Sequence, residues 1–417
     1  MPTTIAPSPP APLWRNPDYV LLWCGQAVSL VGDRASGIAF PLLVLALSHS
    51  AAQAGLLGLV SSLPYVLLSL PAGALVDRWD RKRVMIVCDA GRMLALGSVP
   101  IVIWTGHLSL ALLYVVATVE GTLFVFFDLA QVAALPRVVG TERLRTASAQ
   151  NNLMYTLAYL AGPPLGGALY QNAGRGAPFL VDAVSYAGSV ISLFFIRTRF
   201  QAQRPVVRQP LRVEIGEGLR WLWGRPLLRF LAFLAFGFNV VFFSAGNVLL
   251  LIVLAKHHHA SSSGIGLLFA IGSIGGLLGA IATIRIRDRL SFRQLMVGAG
   301  WLLVLLYPLY AVAPNVVVLG IVAAALSTVG TVYNIVQYSY RLALTPDELQ
   351  GRVNSVFRLV AFSGQPAGAG LVGLSLQVLG AVPTVLLVSL CLTVMATATT
   401  ASRHVRHVPS IEELHPR

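Results

Sequence analysis

Gly73-Ala74-Leu75-Val76-Asp77-Arg78-Trp79-Asp80-Arg81-Lys82-Arg83 places two acids and four cations within the seven residues from Asp77 to Arg83. Apolar runs flank the cluster, at about 53 to 76 and 84 to 105, each long enough to cross a bilayer as a helix of about 20 residues. A short charged loop joining two spans is the simplest reading. Further runs on the N-terminal side and beyond it lie at about 19 to 47, 109 to 135, 147 to 171 and 177 to 196. Six more follow a basic stretch, at about 227 to 255, 264 to 284, 294 to 313, 315 to 340, 353 to 378 and 381 to 401. Roughly 230 of the 417 residues are hydrophobic, close to what twelve spans require, and only 11% are charged. That composition excludes a water-soluble enzyme and a disordered chain.

The net charge of +14 comes from 28 Arg and two Lys, Lys82 and Lys256. With both tails in the cytoplasm, 25 of these cations face the cytoplasm, two lie in external loops (Arg175, Lys256) and three in spans (Arg34, Arg92, Arg358). The positive-inside rule explains this asymmetry without any nucleic-acid partner. The expected organisation is a cytoplasmic tail at 1–18, a six-helix bundle at 19–196, a basic cytoplasmic linker at 197–226, a second bundle at 227–401 and a cytoplasmic tail at 402–417. The linker has the composition of an amphipathic segment suited to anionic lipid. Cys24, Cys88 and Cys391 lie in apolar runs without ligand spacing, so neither a disulfide framework nor a metal site is expected.

The two halves echo each other. Leu135-Pro136, Glu142-Arg143-Leu144-Arg145 and then Gly162-Pro163 recur as Thr345-Pro346-Asp347-Glu348-Leu349 and Gln365-Pro366, at an offset of about 204 residues. Two pseudo-symmetric six-helix units in an all-α membrane protein follow.

On these residues the chain resembles the major facilitator superfamily. The stretch from Gly73 to Arg83 is similar to that family's motif A, with Asp80 where Gly is usual, and span 5 resembles its antiporter motif C through Gly162-Pro163-Pro164 and Gly166-Gly167. Stretches around Gln26 and Asp33, Asp89 with Arg92, and Asp347 to Ser355 resemble the branch with enterobactin-type and macrolide exporters. The resemblance implies a gate built from Gly73, Asp77, Arg78 and Arg81, with Asp128 linked to the arginines and Asp77 facing a helix N-terminus near Gly351 to Asn354 in the other half. Small residues in span 5 suit close helix approach, and Gly272, Gly276 and Gly279 of span 8 offer a matching surface.

Polar residues mark the faces lining a pathway. Gln26, Ser29, Asp33 and Ser36 follow one another at steps of three and four, which puts them on one side of span 1. Glu120 and Phe124 on span 4, Asn239 on span 7, and Asn334, Gln337 and Tyr338 on span 10 complete a cavity drawn from helices 1, 4, 7 and 10, which the family resemblance assigns to the pathway. An ion left in hydrocarbon costs at least about 2.5–3.5 kcal/mol, so Asp33, Arg34 and Glu120 are the candidates for proton coupling. Asp89 and Arg92, three apart, suit a structural ion pair, and Asp182 falls near the external end of span 6, where hydration would suffice.

Other motifs fail on context. Gly368-Ala-Gly370-Leu-Val-Gly373 sits inside a span and follows no strand, so no dinucleotide cofactor is expected, and His257-His258-His259 reads as a solvated loop. The chain carries no P-loop, HExxH or GxSxG, which argues against an ATP-driven pump or a hydrolase. The resulting expectation is a monomeric, multi-pass cell-membrane exporter that exchanges a small amphipathic molecule such as a drug, macrolide or siderophore for protons, in contact with membrane lipid. A facilitator or importer of the same fold, a lipid flippase and a non-transporting scaffold are the alternatives.

Overall fold

In a computed structural model of the chain, the structure describes residues 12–201, 211–286, 289–346 and 349–406. Asp347, Glu348, linker residues 202–210 and the outer parts of both tails lie outside them. Among the described residues every regular element is a helix. The first six spans are α1 (Pro17–Ser48), α2 (Ala51–Arg78), α3 (Arg81–Trp104), α4 (Leu110–Val139), α5 (Leu144–Asn172) and α6 (Ala177–Phe195), and α7 (Leu211–Trp223) lies between the halves. The seventh span joins α8 (Pro226–Phe238), a π-helical turn (Asn239–Phe243) and α9 (Ala245–His257). The eighth is α10 (Ser262–Ile286), the ninth combines α11 (Phe292–Leu306) with α12 (Leu309–Val312), and the tenth is α13 (Val316–Leu344). The eleventh combines α14 (Gln350–Phe362) with α15 (Gly364–Leu379), the twelfth is α16 (Ala381–Ala401), and a short α17 (Arg403–Arg406) ends the described chain.

Eleven of these spans are long and apolar enough to cross a membrane among the described residues. The remaining one, α5, is long but carries Arg145, Ser148, Gln150, Asn151 and Asn152 in its first turns, which dilute its hydropathy. It is held between α1 and α10 by close packing.

Local chemistry sets the helix ends. Asn16 accepts from the backbone N–H groups of Asp18 and Tyr19 at 3.1 and 3.2 Å and starts α1, with Pro17 at the first helical position. Asn16 also donates to the carbonyl of Val138 at 2.8 Å, and Leu13 is buried, so the last residues before α1 are anchored rather than loose. Asp80 resolves the departure from motif A. Its carboxylate caps α3 by accepting from the Arg83 N–H at 3.0 Å, and its φ of −65° demands no glycine.

Three spans expected to be continuous are interrupted. Gly364 and Gly368 bring the eleventh span against the seventh so closely that an added Cβ would lie 2.4 Å from the Phe236 carbonyl oxygen and 2.2 Å from that of Val240. The π-helical turn and Ser244 occupy that crossing. Pro308 breaks the ninth span, where its missing N–H ends the ladder of α11.

Within each half the helices pack on one another, and two crossings, α2 with α15 and α5 with α10, dominate the seam between halves. Both are glycine contacts. A Cβ on Gly55 would lie 2.6 Å from the Cα of Gly373, and one on Gly167 would lie 2.3 Å from the Ser262 carbonyl oxygen. Gly266, with Pro163 opposite, completes the α5–α10 crossing. The expected partners on span 8 were different: Gly272 and Gly279 face Ala323 and Thr328 of α13, because that side of α10 packs within its own half. These crossings, with a 2.9 Å hydrogen bond from the Ala51 N–H to Gln377, close the seam at the end of the molecule bearing the α1–α2 turn.

In the linker, α7 packs on α14, with Leu222 buried and Glu217 paired to Arg352. Gly55→Leu is expected to overpack the α2–α15 crossing at a cost of about 1–3 kcal/mol. Purified protein should melt at lower temperature, and a cysteine at Ala51, in a background lacking Cys24, Cys88 and Cys391, should label faster. Unchanged melting and labelling would show that these helices do not close on each other there.

Candidate functional site

The polar stripe of α1 opens into a cavity within the first half, where Gln26, Ser29 and Asp33 meet Arg92 of α3, Phe124, Asp128 and Gln131 of α4, and Met154 and Tyr155 of α5. Gln131 donates to Gln26 in a short contact across its wall. Acids, amides and aromatic faces therefore share one space.

Arg92 organises this space. Its side chain is 2% exposed, and one nitrogen, Nη2, lies 3.1 Å from Asp33 Oδ1 and 2.5 Å from Glu120 Oε1. The guanidinium also stands over the rings of Tyr186, at 4.2 Å, and Phe124, at 5.6 Å. Tyr186 donates a short hydrogen bond to Asp33 Oδ1. The two carboxylates keep some access, with side-chain exposures of 18% and 25%. One almost fully enclosed cation thus serves two partly accessible acids, of which Asp33 lines the cavity.

The expected Asp89–Arg92 pair does not form. Arg92 extends towards α1 and α4, where two carboxylates hold it, while Asp89, fully buried, accepts from Ser189 of α6 at 2.6 Å. Arg34, adjacent to Asp33 but about 100° around the helix, turns to α5 and stacks over Tyr159 at 4.0 Å, with no ion pair among the described residues. Asp182 is not hydrated: it is 0% exposed and lies 2.5 Å from the Ser36 hydroxyl.

At motif A, Arg81 pairs with Asp77 at 3.3 Å and donates to the carbonyls of Ala133, at 3.0 Å, and Phe200, at 3.3 Å. Gln201 donates to the Asp77 carbonyl at 3.0 Å, so these contacts tie the α2–α3 turn to α4 and the residues after α6. Arg78 is exposed, and a Cβ on Gly73 would meet open space. Asp128 stands apart from the arginines. On α4 it shares a face with Phe124 and Gln131, which directs it into the cavity and within electrostatic reach of Arg358 of α14. In motif C, Gly162 and Gly166 press on Arg34 and Ala35 of α1.

In the second half, Asn239 accepts from Gln365 at 3.1 Å and donates to the Ala235 carbonyl at 2.9 Å, while Gln337 donates to the Leu231 carbonyl at 3.2 Å. Both are buried and spend their polar groups between helices. Asn334 and Tyr338 are exposed, and Tyr338 lies beneath Arg341 at 5.0 Å. Sequence reasoning did not single out Tyr65, whose hydroxyl receives a 2.6 Å hydrogen bond from Arg358 and whose ring meets Phe362 at 5.3 Å. This polar bridge crosses between the halves in mid-span, and a lone tyrosine in an apolar run carries no periodic signal.

A cavity between helices of one half, facing a second half across a glycine-closed seam, is a transport architecture. The family profile described as Major Facilitator Superfamily matches residues 22–369. The chain belongs to the Major Facilitator Superfamily. It is a multi-pass membrane transporter and not an enzyme. Among curated relatives it is 28% identical to the multidrug efflux pump Tap of Mycolicibacterium fortuitum over 370 residues, covering 86% of this chain and 89% of that protein. It is also 26% identical to the enterobactin exporter EntS of Salmonella typhimurium over 365 residues, covering 87% and 86% of the two chains. Among solved structures, a variant of the nucleoside transporter NupG superposes with a TM-score of 0.77 at 12% identity, covering 92% of this chain and 99% of that one, which supports the facilitator fold alone.

Removing one partner from a buried ion pair leaves an uncompensated charge, at a cost of about 3–5 kcal/mol. Arg92→Ala should therefore sharply lower the yield and thermal stability of the purified transporter. Arg34→Ala should cost only about 0.5–2 kcal/mol through its lost aromatic contact. Equal melting curves for the two variants would show that Arg92 is not the cation holding Asp33 and Glu120.

Proposed function

We propose that this transporter is a secondary active exporter that exchanges a small neutral or cationic amphipathic molecule for protons by alternating access. The observation carrying this reading is the cavity itself. Asp33 and Asp128 give it negative character, while Phe124, Met154 and Tyr155 give it apolar and aromatic surface. Such a lining suits a molecule with a flat apolar body and a positive or neutral polar group. A multidrug efflux pump and an enterobactin exporter among the relatives support the outward direction.

Coupling falls to Asp33 and Glu120. Protonation of either removes one of the two negative charges around Arg92, and Arg92 then keeps the other. Gradient and substrate can therefore compete for one charge balance. The strong cation bias of the loops supports cytoplasmic termini in a cell membrane, with Asp77 and its arginines at the cytoplasmic mouth as part of the gate. Asn334 and Tyr338 of α13, both exposed, are the second half's candidates for contact with the substrate.

Proteoliposomes loaded with a lipophilic cationic dye such as ethidium provide the test. Wild-type protein should move the dye against its gradient when a proton gradient is imposed and should also exchange dye without one. Asp33→Asn or Glu120→Gln should abolish the first activity and leave measurable exchange; full gradient-driven transport by both variants would remove these acids from coupling. In oriented vesicles, net movement inward would favour an importer. Asp77→Asn should speed labelling of a cysteine at Trp79, and an unchanged rate would reduce motif A to a topological signal.

A further inference from the structure

Behind α1, away from the cavity, Asp182 of α6 occupies a closed polar pocket that the transport reading leaves without a role. Its carboxyl has zero exposure and no ion pair among the described residues. The groups facing it are Asp33 and Ser36 of α1, Arg92 of α3, Glu120 of α4, and Ser185 and Tyr186 of its own helix. Arg92, the cation among them, is already shared by Asp33 and Glu120. Gly32 makes the room: a Cβ there would lie 2.5 Å from Asp182 Oδ1 and 2.6 Å from the Ser185 hydroxyl oxygen.

The hydrogen bonds suit a carboxyl that gains and loses a proton without moving heavy atoms. Ser36 Oγ lies 2.5 Å from Asp182 Oδ2 and 3.2 Å from the carbonyl oxygen of Asp33. Ser185 Oγ lies 2.7 Å from the Asp182 carbonyl oxygen and 3.3 Å from Oδ1. A serine hydroxyl has one proton to give. With the proton on Asp182, the carboxyl donates to Ser36 Oγ and Ser36 donates to the Asp33 carbonyl. With the proton gone, Ser36 turns the same hydroxyl hydrogen to the carboxylate. One O–H rotation separates the two states.

Asp33 stands between this pocket and the cavity. It lines the cavity, and Tyr186, one helical turn along α6 from Asp182, holds its Oδ1. We infer that Asp182 is the resident proton-binding site of the transporter, filled and emptied through Asp33, while Arg92 shifts between Asp33 and Glu120. In the unloading step the proton leaves the Asp182 carboxyl and arrives on the Asp33 carboxylate. Ser36 then donates to the carboxylate left behind, Arg92 stays with Glu120, and Asp33 passes the proton to water in the cavity.

The inference rests on the proton-coupled reading above, and the test separates the two. Asp182→Asn, reconstituted as the full chain with ethidium as the probe, is expected to lose gradient-driven transport while keeping measurable gradient-free exchange. Infrared difference spectra of the wild type between acid and alkaline buffer should show a protonated-carboxyl band that Asp182→Asn removes. Gradient-driven transport at the wild-type level in Asp182→Asn, or a carboxyl difference spectrum in it unchanged from the wild type, overturns the Asp182 site and leaves the coupling roles of Asp33 and Glu120 standing. A wild-type protein indifferent to the proton gradient overturns both. If Asp182→Asn does not insert, Ser36→Ala decides: it removes a charge-assisted hydrogen bond from the empty state and only a neutral one from the loaded state, a difference that should lower gradient-driven transport about tenfold relative to exchange, and an unchanged ratio overturns the proposal.

Discussion

A guanidinium with almost no exposure, held by two carboxylates from two other helices, fixes how the first half of this protein is assembled. Arg92 of α3 reaches Asp33 of α1 and Glu120 of α4 from one nitrogen, and its flat face rests on Tyr186 of α6. In a hydrophobic bundle such a contact sets helix rotation more strongly than apolar packing, since any other register would strand an ion in hydrocarbon. The arrangement has a built-in imbalance of two acids against one cation. A neutral pair would be a static brace, but an excess acid leaves a charge that a proton or a cationic molecule can answer.

That imbalance is local, and under the proposed exchange it must reach the seam between the halves. The closed end of the seam depends on backbone-to-backbone approach at Gly55, Gly373 and Gly167, where no side chain intervenes. Such crossings leave no long side chain to stretch across a widening gap. Farther along, the bridge from Arg358 to Tyr65 spans the seam with a polar contact beside the acidic cavity, with Asp128 within reach of the same arginine. A change of charge in the cavity is therefore felt by a cation of the other half. In the proposed alternating-access cycle, this contact would link rocking of the halves to the site.

Much of this was legible in the sequence, because bilayer thickness and backbone hydrogen bonding leave few choices. Runs of about 20 apolar residues had to be helices, and the helix ends fell within a few residues of the expected positions. The polar stripe of α1 also placed Gln26, Ser29 and Asp33 on a common wall. What failed was the pairing of residues close in sequence. Spacing alone favours Asp89 for Arg92, but a long side chain selects the partner that offers two carboxylates, and that choice depends on how α1 and α4 are rotated. Asp182 was misplaced for a similar reason. Position along a span gives depth in the membrane, whereas hydration depends on whether the side chain faces water, lipid or a neighbouring helix. The breaks in the seventh and eleventh spans arise where two backbones meet, which neither segment records by itself.

The two halves also divide their chemistry. In the second half, Asn239 and Gln337 already satisfy neighbouring helices, so their amides have little left to give a ligand. In the first half, carboxylates and aromatic rings remain accessible from the cavity. Recognition on such a surface depends on charge sign and apolar area more than on a fixed pattern of hydrogen bonds. Amides committed to structure make a rigid wall, while acids sharing one arginine can each release it for another cation. For the exporter proposed above, breadth of substrate would follow from the small number of directional groups left unspent, and a preference for positive charge from the excess acid beside Arg92.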